Sequence, residues 1–266
     1  MLIASAAAGA DTELERTGGP YVPTPTIVVD QMLRMGSVGP QDYVLDLGSG
    51  DGVIVLTAAQ QYKARGMGVD IDPMLVKLSN ANAKRLGIDD RVSFEVQDVF
   101  KTDLSKASVI TLYLLPSMMS NLKGKVFLEA KPGTRVVSHD YVFGDWPPDN
   151  HITLDVPEKE KINGTPRATI YLWIVPAKVA GTWQVQVEGA QPVELAFKQS
   201  FQSVDARANA KNVRAVYTGL RGKDINFTLM DGSARRHFNG TVDGEVMHGI
   251  VDLGGGKTAK WTARKS

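Results

Sequence analysis

With 266 residues, 43% of them hydrophobic and 22% charged, the chain is long enough for one large domain or two moderate ones and can build a packed core. It has no cysteine, which excludes disulfides and thiolate chemistry, and no apolar run of the roughly 18 residues that a membrane-spanning helix needs. The net charge of +1 divides into 12 Lys and Arg against 8 Asp and Glu from Gly181 onward and 18 against 21 before it; neither half has a nucleic-acid footprint, and four scattered histidines without an HExxH make no metal site.

Met1 to Ala10 (MLIASAAAGA) reads as the end of a secretory signal without its basic start, or as a flexible tail. The tail is preferred, and with it a cytoplasmic location; a truncated signal would place the protein in the periplasm. From about Pro25 to Pro176, short apolar runs alternate with amphipathic stretches, the pattern of βα units on a mainly parallel sheet. Thr26 to Met35 has helical spacing. Tyr43 to Leu47 is a strand, followed by a glycine-rich turn and a helix from about Gly52. Gly66 to Ile71 is the second strand, and Asp72-Pro73 caps and opens the next helix. Arg91–Val96, Ser108–Leu114 and Gly133–Ser138 supply strands three to five. His151–Val156 and Ala168–Val175 predict an antiparallel hairpin at the sheet edge.

From Gly181 the character changes to short alternating segments punctuated by glycines at 189, 219, 222, 232, 244 and 254–256. That pattern predicts a small antiparallel β-barrel or sandwich, with Phe197, Phe201, Tyr217, Phe227, Phe238 and Trp261 as its core. A module of this size is near the lower limit for independent stability, so it is expected to dock on the first domain. The expected division is a tail at residues 1–18, an α/β domain at 19–178 and an all-β accessory domain at 181–266. The fold class is α/β, a doubly wound seven-stranded sheet, with that β module appended.

The chemistry is concentrated in Asp46 to Gly52 (DLGSGDG), directly after a strand and before a helix. The spacing is GxGxG rather than the dinucleotide GxGxxG. Asp46 places a carboxylate at the end of an apolar strand, where it needs a cationic partner and would repel a pyrophosphate. Asp70 ends the second strand, where α/β nucleotide sites accept ribose hydroxyls. Asp98 follows the third strand and is placed to accept from an adenine amine, with Val99 or Phe100 lining the ring. Three acids at the ends of successive strands point to one crevice.

The stretches DLGSGDG, GVDID and VQDVF resemble the class I S-adenosylmethionine-dependent methyltransferases. Tyr21 to Pro25 (YVPTP), Tyr113 to Pro116 (YLLP), Gly133 to Asp140 (GTRVVSHD) and Gly144 to Trp146 (GDW) narrow the likeness. They are similar to the family of the ATP synthase c-subunit and adenine nucleotide translocase lysine methyltransferases and its bacterial relatives. The resemblance spans about Gly19 to Pro176 and leaves out the β-rich tail. It implies S-adenosylmethionine as cofactor, with Tyr21 and Thr24 closing over it and Asp46, Gly48, Gly50, Asp70 and Asp98 binding it. Ser49, Gly52, Ile71 and Val99 complete the expected cofactor set. Tyr113 to Pro116 is expected where the methyl group meets its acceptor.

Methyl transfer from a sulfonium is an in-line displacement that needs positioning and a suitable electrostatic surface. A lysine amine must arrive neutral, and an apolar mouth at Tyr113, Leu114, Leu115 and Pro116 favours that form. Tyr113 either accepts a hydrogen bond from the amine or caps its strand and packs on the adenine. Of the pair after strand five, Asp140 is expected at the substrate, grouped with Tyr113 and Pro116 as catalytic, and His139 in a structural role. Asp145, Trp146 and Asp149 form a lid or a packed surface loop. The expected partner is a protein lysine or a small-molecule acceptor, not a nucleic acid; an exported binding protein without turnover is the alternative from another class. Oligomeric state stays open.

Overall fold

Alternation of side chains along short β-branched strands gives the first sheet two apolar faces, so helices must cover both. The computed structural model describes residues 19–266, and the tail-or-signal reading of residues 1–18 lies outside the described residues. The strands are β1 (Tyr43–Leu47), β2 (Arg65–Asp70), β3 (Val92–Val96), β4 (Val109–Leu112), β5 (Arg135–His139), β6 (Asn150–Asp155) and β7 (Arg167–Ile174). Their order is β3-β2-β1-β4-β5-β7-β6, parallel through β5, with β7 antiparallel to both neighbours. The expected edge hairpin is present, and the order reverses between β1 and β4, where ligand crevices form in such sheets.

Val44, Val109 and Val137 face one layer, packed under α1 (Thr26–Met35) and α2 (Val53–Tyr62). α3 (Pro73–Arg85) completes that layer over Phe94. It starts where the sequence places it, with Asp72 Oδ1 accepting from the Met74 amide at 2.9 Å. Leu45, Leu47, Ile110, Leu112 and Val136 face the opposite layer. There the structure adds α4 (Pro116–Glu129), a helix the sequence reading does not anticipate, with Pro116 in its first turn. A short helical turn (Pro157–Lys159) and α5 (Glu160–Asn163) lie between β6 and β7.

The second half is a meander of β8 (Gly181–Val187), β9 (Val193–Ser200), β10 (Ser203–Ala208), β11 (Val213–Arg221), β12 (Asp224–Asp231), β13 (Ala234–Asp243), β14 (Val246–Gly254) and β15 (Lys257–Lys265). The last strand pairs back onto β8, and β10 lies beside β11 without a ladder, so this is a nearly closed eight-stranded antiparallel barrel. Trp183, Phe197, Phe227, Phe238 and Trp261 fill its interior, with Phe227 stacked on Phe238.

Two of the expected core residues lie elsewhere. Tyr217 is 80% exposed, because a bulge between Val216 and Gly219 breaks the alternation of β11. Phe201 sits in the β9–β10 turn with φ +53°, and its ring leaves the barrel. It packs against Trp146 and Phe127 of the first domain. Gln202 beside it accepts from Trp146 Nε1 at 2.8 Å and donates to the Pro147 carbonyl at 2.7 Å. At the far side the Ala177 amide donates to the Gly222 carbonyl at 2.7 Å. The barrel is therefore docked, as its size requires.

Candidate active site

Three strand ends meet at the reversal point and bring the sequence's acids to one cleft. Asp46, Asp70 and Asp98 line it together with Tyr21, Thr24, Gly48, Ser49, Gly50, Ile71, Val99 and Tyr113. Asp51 and Asp72 join them, so five carboxylates face the space, and among its described lining residues there is no Lys, Arg or His. Such a surface selects a cationic ligand and repels a phosphate.

The glycine turn has the same preference. The amides of Gly48 and Ser49 both donate to the Val69 carbonyl at 2.9 Å, and Gly50 N donates to Asp70 Oδ2 at 2.8 Å. Gly52 N donates to the Ser49 carbonyl at 2.9 Å. These donors hold the turn against β2 and are not aimed at an anion, as a phosphate-binding loop would aim them. The turn's glycines let neighbouring side chains pack closely on its backbone. A Cβ at Gly48 would lie 2.7 Å from Leu114 Cδ2, and one at Gly50 would lie 2.5 Å from the Tyr21 ring.

Asp46 is 2% exposed and its Oδ1 accepts from Thr111 Oγ1 at 2.7 Å. Burial pushes its carboxyl up to about 7 against the pull of the Thr111 hydrogen bond, with Asp70 and Asp51 adding like-charge repulsion. Asp70 is oriented by Gly50 N on one oxygen and by Asp72 N on the other, at 2.9 Å. Asp98 accepts from Phe100 N at 2.9 Å. The Tyr21 phenol lies over the turn and hydrogen-bonds Asp51; burial first, then Asp51 and Asp70, raise its pKa, so it stays a donor. The Ser49 hydroxyl is buried with no partner among the described residues.

On the acceptor side Tyr113 stacks on His139 at 4.0 Å and, more distantly, on Tyr141 at 6.3 Å. Tyr141 also lines the cleft, as do Leu75, Gln97 and Met118. Sequence reasoning passes over these and Asp51, although Asp51 stands inside DLGSGDG and Tyr141 two positions after His139. Three expected site residues are not in the lining. Gly52 caps α2 with φ +81° and packs beneath Phe94. Pro116 starts α4.

Asp140, expected at the substrate, is turned away from it. The strand ends at His139, Asp140 takes φ +65°, and its carboxylate accepts from buried Lys159 Nζ and from Thr169 N at 3.0 Å. His139 is fully buried, and burial above all holds it down at about 4 despite Asp140 nearby, so it is neutral at physiological pH.

The family model of the ANTKMT methyltransferase domain matches residues 46–150. A protein-lysine N-methyltransferase of Saccharolobus islandicus (strain REY15A) is 38% identical over 157 residues, 59% of this chain and 93% of that one. The chain belongs to this methyltransferase family. A lysine N-methyltransferase of the ATP synthase c-subunit, from Xenopus laevis, is 34% identical over 49% of the chain, which spans 57% of that relative's length. The crystal structure of an RNA methyltransferase from Salinibacter ruber with S-adenosyl-L-homocysteine is 45% identical, with a TM-score of 0.54, over 59% of this chain and 96% of that one.

The methyltransferase uses S-adenosylmethionine, and its residues fit that cofactor. The molecule brings a sulfonium and an ammonium to a cleft with five lining carboxylates and no basic residue among its described lining, and a carboxylate that a buried serine hydroxyl without a partner among the described residues would suit. No described helix is long and apolar enough to cross a membrane.

Proposed function

We propose that the methyltransferase transfers its methyl group to the side-chain amine of a lysine in a protein. The observation that carries this reading is the acceptor end of the cleft, where Tyr113, Tyr141, Leu114 and Leu115 stand beside a cofactor site whose charged lining residues are all acidic. An ammonium-bearing side chain is drawn to such a surface and a polyphosphate chain is repelled. The lysine methyltransferases among the relatives support it.

S-adenosylmethionine supplies an electrophilic methyl carbon on a positively charged sulfur. Asp46 would take the ammonium group of the cofactor, and the Ser49 hydroxyl would donate to its carboxylate. Asp70 would accept from the ribose hydroxyls and Asp98 from the adenine amine, with Ile71 and Val99 lining the ring. Tyr21 and Thr24 would cover it and exclude water. An acceptor amine entering between apolar walls, next to a sulfonium, gives its proton to solvent, because desolvation and like charge both disfavour the charged form. The Tyr113 hydroxyl accepts from the neutral amine and directs its lone pair along the line of displacement.

Transfer of labelled methyl from S-adenosylmethionine into cell extract, fractionated into protein, RNA and small molecules, tests the reading. Label in protein, recovered as methyl-lysine after acid hydrolysis and lost with Asp70→Ala, is expected. Label confined to RNA, as the name of the Salinibacter relative suggests for that enzyme, or to small molecules would overturn it.

A further inference from the structure

The acceptor side of the cleft hangs on a ten-residue connection, residues 140–149, between β5 and β6. Its first end is fixed by the first domain: Asp140 N donates to the Thr169 carbonyl at 2.7 Å, and the Asp140 carboxylate holds Lys159. Tyr141 follows at once, its amide donating to the His139 carbonyl at 2.9 Å and its carbonyl accepting from Ser138 Oγ at 2.7 Å, with its side chain at the cleft. Phe143 and Trp146 then dive into the core under α4.

The second end is shared: β7 takes its backbone, with Trp173 Nε1 donating to the Trp146 carbonyl at 3.0 Å and Asp149 N to the Leu172 carbonyl at 2.8 Å, and the barrel takes the Trp146 side chain. Trp146 stacks on Phe201 with ring centroids 5.1 Å apart and planes 7° apart. Gln202 bonds both Trp146 Nε1 and the Pro147 carbonyl. α4 ties the two together, since Lys123 pairs with Asp145 and lies over the Phe201 ring at 5.8 Å. Met118, in the first turn of the same helix, lines the cleft.

We infer that the barrel is a positioning element for methyl transfer: Phe201 and Gln202, by clamping Trp146, hold taut the connection that sets Tyr141 beside Tyr113 at the acceptor end. The barrel contributes no lining residue to the cleft and needs none. Its effect falls on the acceptor geometry and not on the cofactor acids, which sit on β1, β2 and the β3 loop beyond the reach of the clamp. Small displacements of a reacting pair cost rate steeply, about a hundredfold for 1 Å, so an anchor outside the site can govern turnover. The inference rests on methyltransferase activity and holds whichever acceptor is used.

Three measurements on the full chain test it, using Gln202→Ala, Gln202→Glu and Phe201→Leu. They are turnover into whichever extract fraction the wild type labels, calorimetric affinity for S-adenosylmethionine, and amide hydrogen exchange over residues 141–146. Gln202→Ala and Phe201→Leu are expected to slow turnover about tenfold and speed exchange from Tyr141 to Trp146, with cofactor affinity within about twofold of wild type. Gln202→Glu keeps the acceptor for Trp146 Nε1 but loses the donor to the Pro147 carbonyl, so its rate is expected to fall between that of Gln202→Ala and the wild type. Turnover within about twofold of wild type in both disruptive variants overturns the inference, as does a loss that follows cofactor affinity or leaves the exchange unchanged. Should the wild type label no fraction, the proposed function has failed and exchange alone decides: unaltered protection of residues 141–146 overturns the clamp.

Discussion

A single buried carboxylate sets the pH response of the cofactor site. Unfolded, Asp46 would titrate near the ordinary aspartate value of about 3.9, whereas the folded chain raises it to about 7. Between those values the native state holds a proton that the unfolded chain has lost, so stability without cofactor falls as pH rises from about 4 to about 7. An ammonium beside Asp46 favours the ionised form, so cofactor binding below pH 7 must expel that proton. Affinity for S-adenosylmethionine is expected to weaken about tenfold from pH 7 to pH 5.5, with proton release visible calorimetrically in buffers of different ionisation enthalpy. Asp46→Asn should bind weakly and without that slope. A wild-type affinity that is flat over this range would refute the pairing.

The glycines supply a second test at the same scale. Gly50 and Gly87 both have positive φ, but a Cβ meets the Tyr21 ring at the first and open space at the second. Gly87→Ala is expected to cost about 1 kcal/mol of stability and leave cofactor binding intact. Gly50→Ala carries similar strain and in addition drives Tyr21 off the turn, so binding should fall at least about tenfold. Equal cofactor affinities in the two variants would show that the turn is not a cradle.

Among elements, the connection after β5 shows what the sequence discloses and what it hides. The motif DLGSGDG and the acids after β2 and β3 are legible because strand, turn and helix signals are contiguous there. Asp140 is not, because its direction depends on where β5 stops and on Lys159, 19 residues later, reaching its carboxylate. Pro116 reads as part of a substrate motif when it is the first-turn proline of α4, and Gly124 within that helix weakens its pattern. The pair that directs Asp140 is itself testable. Lys159 is 1% exposed, so Lys159→Met leaves Asp140 facing an apolar partner and should destabilise the protein by about 3 kcal/mol. Adding Asp140→Asn removes the orphaned charge and should recover most of that loss in urea unfolding. A Lys159→Met midpoint equal to wild type would mean that the pair is solvated and holds nothing.

At the scale of the whole molecule, both architectures are written in residue periodicity: βα alternation up to Pro176, and two-residue alternation, interrupted by the β11 bulge, after Gly181. Their junction is not, because period two assigns Phe201 to a barrel interior and gives no hint of the tight turn that swings it outward. That ring joins the α4-side core of Phe127, Phe143 and Trp146, stacking on the Trp146 ring. The two halves thus share one apolar cluster and should unfold together in a single calorimetric transition. Phe201→Ala removes the shared ring and, as a partly buried aromatic truncation, should cost about 2–3 kcal/mol. The loss falls on the contact between the halves, so the single transition should separate into two, with the barrel, whose own Trp and Phe core is untouched, melting close to its wild-type temperature. A Phe201→Ala protein that still melts in one transition, lowered as a whole, would show that the Ala177–Gly222 contact and the linker alone couple the halves.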